Sequence, residues 1–461
     1  MAAVDILNTV ASQLEVVLPD IQEINAAEND QLYGRVKTTA KVEKISRYLL
    51  RWVIETGIGG NFAKVNANGG TLPTGTQLTQ KYLLAGYFNS AIAFALTDEQ
   101  MKISGPSQQA IVDIAARQMA KAMIAQNSYD DVTFAQSGTG ILTNSSSAIT
   151  NSTNATMTFN ASTDTLKVNL LFEGMCVDVW DTTGATIRVA GTGAPLIITA
   201  IDYDAYVVTF NQTITTLTQG DIIALRAMAV YGPATLTSFS SGYPGTQGGS
   251  PTGGIGGDSF RHGYPYACDT TSSNYFYGTQ KSTVPQLNPV RVNANGDTLQ
   301  WEQGLRLIAK VKQKRPQKEI WQRLEGIAHS TQKAAAFELG MSISQKLMTG
   351  PTFGESLDLV PSNQPNADKF NFAGIPCNES TRQDRGNISF VNFDKIGRAE
   401  AAETGPYSVG GKTMFEGRDG SGNVVTTLTW FFSSYFENVF LEAGCFAKVD
   451  SLAAPSASWD A

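Results

Sequence analysis

The feature that most constrains this chain is residues 48–96, a stretch written as strands with no core of its own. Its first arm, 48–66, holds Trp52, Ile54, Ile58, Phe62 and Val65. A tip of turn formers follows at 66–77, with Asn68, Gly69, Gly70, Pro73 and Gly75. The return arm, 78–96, carries Tyr82, Leu83, Leu84, Tyr87, Phe88, Ile92 and Phe94. A lone two-stranded hairpin is marginal at best in water, and its edges and apolar faces demand a neighbour. The expectation is a hairpin over 48–97 whose Trp52, Phe62, Tyr82 and Phe88 are covered by adjacent copies of the chain.

The flanking segments read as follows. Residues 1–47 form an arm: Leu7, Val10, Leu14, Val17 and Leu18 recur at helical spacing until Pro19, and Lys37, Lys41, Lys44 and Arg47 supply a basic face. The clearest helix starts near Pro106, with Ser104 or Ser107 as its cap, and runs to about Asn127. Ile111, Ile114, Met119 and Met123 mark its core face, while Arg117 and Lys121 lie off that stripe. Over 150–228, short alternating runs at 175–180, 186–189, 196–201, 206–210 and 221–225 are punctuated by Thr183-Gly184, by Asp202 to Asp204, and by Gly220-Asp221. That spacing predicts a small β-barrel or sandwich folding as a unit. Residues 242–257 are a Gly-rich loop. A second helical region spans 318–348, with a break at Gly326 or Gly340. From 370 to 449 the chain leans to strand, and 451–461 is a tail of small residues. The class is α+β.

Composition narrows the function. At 461 residues the chain has material for about three folding units. Lys and Arg number 34 against 41 Asp and Glu, for a net charge of -7, which opposes tight sequence-independent DNA binding through phosphate neutralisation. The run Lys310, Lys312, Lys314, Arg315 lacks interleaved aromatics, so its expected role is weak contact with an enclosed polyanion. No apolar run reaches the ~18–20 residues that span a bilayer. The first residues have no basic n-region, so folding in the cytosol is expected.

Catalytic motifs are incomplete. In Gly405-Pro-Tyr-Ser-Val-Gly-Gly-Lys412-Thr413, Pro406 stands where a phosphate loop needs glycine. Ser330 and Lys333 form an S-x-x-K pair without its partner motifs. Asp181, Asp202, Asp204 and Asp221 fall at or beside turns, where Asp serves the backbone; Asp178 does not. Cys176, Cys268, Cys377 and Cys445 form no CxxC pair and read as reduced, buried thiols, and only His262 and His329 are present. No catalytic residue, cofactor or metal site is expected, and the chain reads as a non-enzyme.

The order of elements carries a resemblance. An N-terminal arm, a long hairpin, an uninterrupted amphipathic helix, and a mixed α/β region with a β-rich ending together resemble the tailed-bacteriophage major capsid protein of the Hong Kong bacteriophage type. Phe370-Asn-Phe-Ala-Gly374-Ile-Pro376-Cys377 looks like that family's aliphatic–Gly–aliphatic–Pro strand: Gly374 and Pro376 match, and Cys377 replaces a usual aliphatic. The segment from Glu437 to Ala447 resembles the family's return to its peripheral domain.

The resemblance implies an N-terminal arm at 1–47 and an extended loop at 48–97. It implies a peripheral domain at 98–137 and 405–450 built on a spine helix, and an axial domain at 229–404. The β-domain at 150–228 is then an insertion. About fifty residues before the hairpin are too few for a fused scaffolding segment. The implied function is self-assembly into hexamers and pentamers of an icosahedral shell around packaged double-stranded DNA, in a virion assembled in the host cytoplasm. Implied partners are identical subunits, a separate scaffolding protein, portal and decoration proteins and, weakly, the DNA, with no membrane. Some members cross-link a hairpin Lys to a neighbour's Asn; Lys64 and Lys81 lie in the hairpin here, but no partner Asn or catalytic carboxylate is identifiable, so a non-covalent shell is expected. The alternatives are a bacterial protein-cage shell of the same fold, or a β-rich carbohydrate-binding or tail-associated virion protein.

Overall fold

The computed structural model describes residues 32–36, 42–46, 49–56, 79–97, 108–138, 141–144, 154–159, 168–180, 196–203, 205–214, 217–218, 220–225, 261–272, 275–348, 369–406, 414–418 and 424–453. The first helix of the arm, the hairpin tip with Phe62, the loop 242–257 and the tail beyond 453 lie outside these residues. The chain is α+β and divides into two compact units: 1–38, 87–132 and 398–437 in one, and 39–86, 133–397 and 438–461 in the other.

In the first unit, strand β4 (Phe88–Thr97) pairs antiparallel with Val424–Phe440, from Phe88↔Phe436 to Thr97↔Thr427. This corrects the expected return arm. The hairpin strand ends at Gly86, and Phe88 belongs to a different sheet. The physical reason is that the aromatic-rich strand Val424–Phe440 offers all ten residues of β4 a ladder. Helix α1 (Gln108–Ala135) has 28 residues and extends about 42 Å, running eight residues past the expected end at Asn127.

The apolar stripe of α1 fades after Met123 because its buried side turns polar. Gln126 Nε2 donates to Asp130 Oδ1 at 2.8 Å and to Ser434 Oγ at 3.1 Å, and Ser434 Oγ lies 2.7 Å from Ser90 Oγ. Trp430, Phe432, Ser434 and Phe436 alternate as the buried positions of their strand, so Ser434 is the gap that admits the Gln126 amide. Met123 is buried; the side chains of Ile111, Ile114 and Met119 lie outside the described ones.

The second unit contains a six-stranded mixed sheet in the order Val290–Asn293, Ala447–Asp450, Ile388–Val391, Glu325–Ala328, Ile375–Glu379, Lys369–Phe372. Ala447–Asp450 lies parallel to Val290–Asn293 and antiparallel to Ile388–Val391, so the chain's ending joins this sheet rather than following the rest of 405–450. Helix α2 (Trp301–Lys314), which sequence reading missed, buries Leu307 and Val311 in the core that this sheet shares with Phe370, Phe372 and Phe390.

The predicted second helical region is interrupted by a strand. One helical turn, Lys318–Trp321, precedes Glu325–Ala328, and helix α3 (Ser330–Met348) follows. The strand lies between Ile375–Glu379, parallel, and Ile388–Val391, antiparallel. Gly326, Ile327 and Ala328 are buried, and a short apolar run covered on both faces has no period to distinguish it from helix. Gly326 faces Cys377 across the ladder, and a Cβ there would overlap Cys377 Sγ. The Phe370–Cys377 segment is a two-residue hairpin: Ala373 and Gly374 have φ of +51° and +82°, as the turn that matches strand twist requires.

The region expected to be a β-unit holds an antiparallel sheet in the order Ile141–Asn144, Ile222–Leu225, Cys176–Trp180, Leu196–Asp202, Val207–Ile214, Asn154–Thr158. Val177, Val179, Ile198, Val208, Phe210 and Ile223 bury one side of it. Asp202 Oδ1 accepts the Ala205 N–H, and Asp221 accepts the Thr218 N–H and hydroxyl, so these two carboxylates serve turns.

Replacing Gly326 with Ala is expected to lower unfolding free energy by about 1–3 kcal/mol through overpacking. In a double-mutant cycle by denaturant unfolding, Cys377→Ala should recover part of that loss. Additive losses would show that the two positions do not touch.

Candidate assembly surface on the hairpin sheet

Strands β1 (Glu43–Ser46), β2 (Leu49–Glu55) and β3 (Gln80–Gly86) form a three-stranded sheet at the base of the hairpin. The β2–β3 register, Leu50↔Ala85, Trp52↔Leu83 and Val53↔Tyr82, assigns alternate residues to opposite faces. Leu50, Trp52, Leu83 and Ala85 form a buried face, none more than 4% exposed. Val53 and Tyr82, a directly opposed pair, are 47% and 58% exposed on the other face, beside the exposed Leu84. Ile45 of β1 is also exposed. Arg51 lies over the Tyr82 ring at 4.9 Å and pairs with Glu43 at 2.7 Å, which orients the aromatic without covering it.

The buried face corrects the expectation for Trp52, whose cover comes from its own chain. Its ring meets Tyr277 edge-on at 4.7 Å. Tyr277 and Gly278 form a two-residue turn between Tyr275–Phe276 and Thr279–Gln280, with φ of +44° and +77°. A left-handed tyrosine is strained, and surrounding bonds hold it. Tyr277 O–H donates to the Asn438 carbonyl at 2.6 Å, Tyr277 N–H donates to Tyr266 Oη at 2.7 Å, and Tyr277 C=O accepts the Leu84 N–H at 3.1 Å. Gln286 Nε2 adds a bond to the Thr56 carbonyl at 2.7 Å. Sequence reading missed Tyr277; the available signal was a Tyr-Gly pair directly after the aromatic dipeptide Tyr275-Phe276.

The other predicted positions divide. Tyr82 is exposed on the hairpin, Phe88 sits in the separate β4 ladder, and Phe62 lies outside the described residues. The basic run makes contacts within its own chain, with Lys310 and Lys312 exposed and Lys314 and Arg315 half-buried. Lys310 Nζ donates to the Arg291 carbonyl at 2.9 Å, Lys312 Nζ lies 4.0 Å from the Trp321 ring centroid, Lys314 Nζ donates to the Asn288 carbonyl, and Arg315 pairs with Glu442 at 3.0 Å. Lys314 and Arg315 are half-buried and bonded within the chain. Burial, helped by neighbouring Arg315, pushes the Lys314 amine down to about 8.

The side chains of the S-x-x-K pair and of the cysteines are placed as follows. Lys333 pairs with Glu379, which engages the amine an S-x-x-K mechanism would use. Burial pushes the thiols of Cys268, Cys377 and Cys445 up to about 12, leaving little thiolate near neutrality. Among the described residues, no group of three or more His, Cys, Asp or Glu is placed to hold a metal ion, and no helix is long and apolar enough to cross a membrane. Residues 407–413 lie outside the described set.

No family profile matches the chain, and no curated protein does. Solved structures do. A chain of the cyanophage A-1(L) capsid asymmetric unit is similar over 91% of this chain and 90% of its own, at 10% identity and a TM-score of 0.44. The capsid of the native GTA particle is similar over 91% and 89%, at 8% identity and 0.40. Mycobacterium phage Patience is similar over 98% and 89%, at 10% identity and 0.37.

Trp52→Ala should cost about 3–5 kcal/mol in unfolding free energy. Trp52→Phe should cost under about 1.5 kcal/mol, because the buried indole N–H has no acceptor among the described residues and its loss leaves nothing unpaired. Equal losses would mean that the ring does not seat the hairpin. For Lys314, the amine protonates less readily in the folded chain (about 8) than at its ordinary 10.5. Stability should therefore climb as pH rises through that window, because the unfolded chain alone still holds the proton. Thermal melts from pH 8 to 10 should show a steeper climb for the parent than for Lys314→Met.

Proposed function

We propose that this chain is a major capsid protein of a tailed phage. It self-assembles through hexamers and pentamers into an icosahedral shell that encloses double-stranded DNA. Its role is structural rather than catalytic, and its place is the virion capsid, put together in the host cytoplasm. In this reading 48–86 is the core of an extended loop, α1 is the spine of a peripheral domain, the mixed sheet is the axial domain, and the antiparallel module is an insertion. A separate scaffolding protein, a portal and decoration proteins are the further partners. DNA contact is weak and non-specific, because the chain carries net charge -7 and Lys314 and Arg315 of its basic run are half-buried and bonded within the chain.

The observation that carries the proposal is the polarity of the hairpin sheet. One face is fastened to Tyr277, and the other presents Val53, Tyr82 and Leu84, with Ile45 alongside, to whatever lies next to it. Fully burying an aliphatic or aromatic side chain is worth about 1.5–3 kcal/mol. Four side chains already about half covered therefore bring roughly 4 kcal/mol to a contact. Association of two proteins costs an estimated 4–15 kcal/mol, so one such contact makes no stable dimer. Repeated around a closing ring, where each further contact is intramolecular, the same patch suffices. A surface too weak for a pair and adequate for a ring is what a reversible shell assembly needs.

Electron microscopy and sedimentation of the purified full chain should show closed shells or rings. Tyr82→Asp should abolish them while far-UV circular dichroism and the melting midpoint stay near the parent's, since exposed substitutions change stability by about 0.5 kcal/mol or less. A parent that stays monomeric at high concentration, or a Tyr82→Asp variant that assembles normally, would overturn the proposal.

A further inference from the structure

The tetrapeptide Asn-Ala-Asn-Gly occurs twice, at 66–69 and at 293–296. The second copy leads from strand Val290–Asn293 toward α2. Asp297 N–H donates to the Ala294 carbonyl at 3.0 Å, and the two residues between them, Asn295 and Gly296, have φ of +55° and +84°. This is a tight turn with both central residues left-handed, the conformation that Asn-Gly favours. Asn293 Oδ1 accepts the Asn295 N–H at 2.9 Å. Asn295 and Gly296 are both exposed, so water reaches them.

An exposed Asn-Gly pair is chemically labile, because glycine has no Cβ to shield its nitrogen from the preceding side chain. Here that nitrogen is engaged. Gly296 N–H donates to the Ser451 carbonyl at 2.8 Å. Residues 450–453 hold the turn at two further points: the Asp450 carbonyl accepts the Ala294 N–H at 2.8 Å, and Ala453 N–H donates to the Asp297 carbonyl at 3.0 Å. The segment has its own anchors. Leu452 is buried in the core of the mixed sheet, its N–H donates to the Gly386 carbonyl at 2.9 Å, and Asp450 pairs with Arg291 at 2.7 Å. Ser451 has φ of +57°, a conformation costly for a residue with a Cβ and kept only where the surroundings fix it.

We propose that Asn295 is a deamidation site kept dormant by residues 450–453, and that undocking of that segment switches it on irreversibly. Once the Ser451 carbonyl leaves, the Gly296 nitrogen gives its proton to solvent and attacks Asn295 Cγ. The N–Cγ bond forms, the Cγ–Nδ2 bond breaks, and ammonia departs with a proton taken from solvent, leaving a cyclic imide. Water then opens the imide at either carbonyl to give aspartate or isoaspartate, and no other reactant is needed. Isoaspartate lengthens the backbone by a methylene and adds a negative charge beside Asp297. Ala294, Gly296 and Asp297 then cannot all meet Asp450, Ser451 and Ala453 in register, so the segment does not redock as before. The inference goes beyond the shell reading and stands or falls without it.

Incubation of the purified full chain at mildly alkaline pH, followed by proteolysis and peptide mass spectrometry, tests it. Asn68, in the same tetrapeptide, is the internal reference in denaturant, where both asparagines should convert at similar rates. In the native parent, Asn295 should convert about tenfold or more slowly than in denaturant, the factor being set by the fraction of time that 450–453 is undocked. Leu452→Ala removes the buried anchor, and Ala453→Pro deletes the N–H that meets Asp297. Each variant, shown to be folded by circular dichroism, should convert Asn295 severalfold faster than the native parent. Equal rates in the native and denatured parent, a denatured parent that converts Asn68 and not Asn295, or folded Leu452→Ala and Ala453→Pro chains no faster than the parent would overturn the proposal.

Discussion

The hairpin's position depends on one interaction, the edge-on packing of Trp52 against Tyr277. An isolated three-stranded sheet with an apolar face has no reason to hold one orientation; covering that face on a fixed ring supplies one. Tyr277 can serve because its left-handed backbone is held by neighbours. Tyr266, Phe276 and His262 surround the ring, and the O–H and C=O are bonded to separate parts of the chain. The strain of a positive φ at a bulky residue is maintained by this network rather than relieved.

Fastening one face leaves the other exposed, and the proposed assembly uses that exposed face. Had both faces been free, the hairpin would be a sticky flap; had both been covered, it would offer nothing to a second copy. The structure leaves Val53 and Tyr82 as an opposed pair on the open side, near Arg51, whose charge Glu43 offsets. A modest apolar patch with a managed charge beside it suits repeated weak contacts better than one strong contact.

The low charge content has a structural counterpart. Polar groups are placed inside: Gln126 bridges Asp130 and Ser434 on the buried side of α1, and Lys281 is fully buried with Asp269 at 2.9 Å. Burial lowers the Lys281 pKa, while the Asp269 carboxylate opposes that shift. Such interior bonds specify one arrangement because each would leave an unsatisfied group if it were broken. Half-buried Lys314 and Arg315 extend the pattern, holding a carbonyl and a carboxylate of their own chain.

Local pattern alone determined the α+β class, the existence of α1, the strand character of the hairpin base and the turn roles of Asp202 and Asp221. Each rests on period or turn chemistry carried by neighbouring residues. Gly374, read in the sequence as part of one strand, instead follows Ala373 in a left-handed two-residue turn between two strands. Tertiary structure alone decided that Phe88 leaves the hairpin for the Val424–Phe440 ladder, that Gly326 lies in a strand, that α1 outlasts its apolar stripe, and that Trp52 is covered by its own chain. Strand partners hundreds of residues apart, and the face of a ring that a distant Tyr277 will meet, are set by long-range packing energies. Nothing in the nearby sequence encodes them.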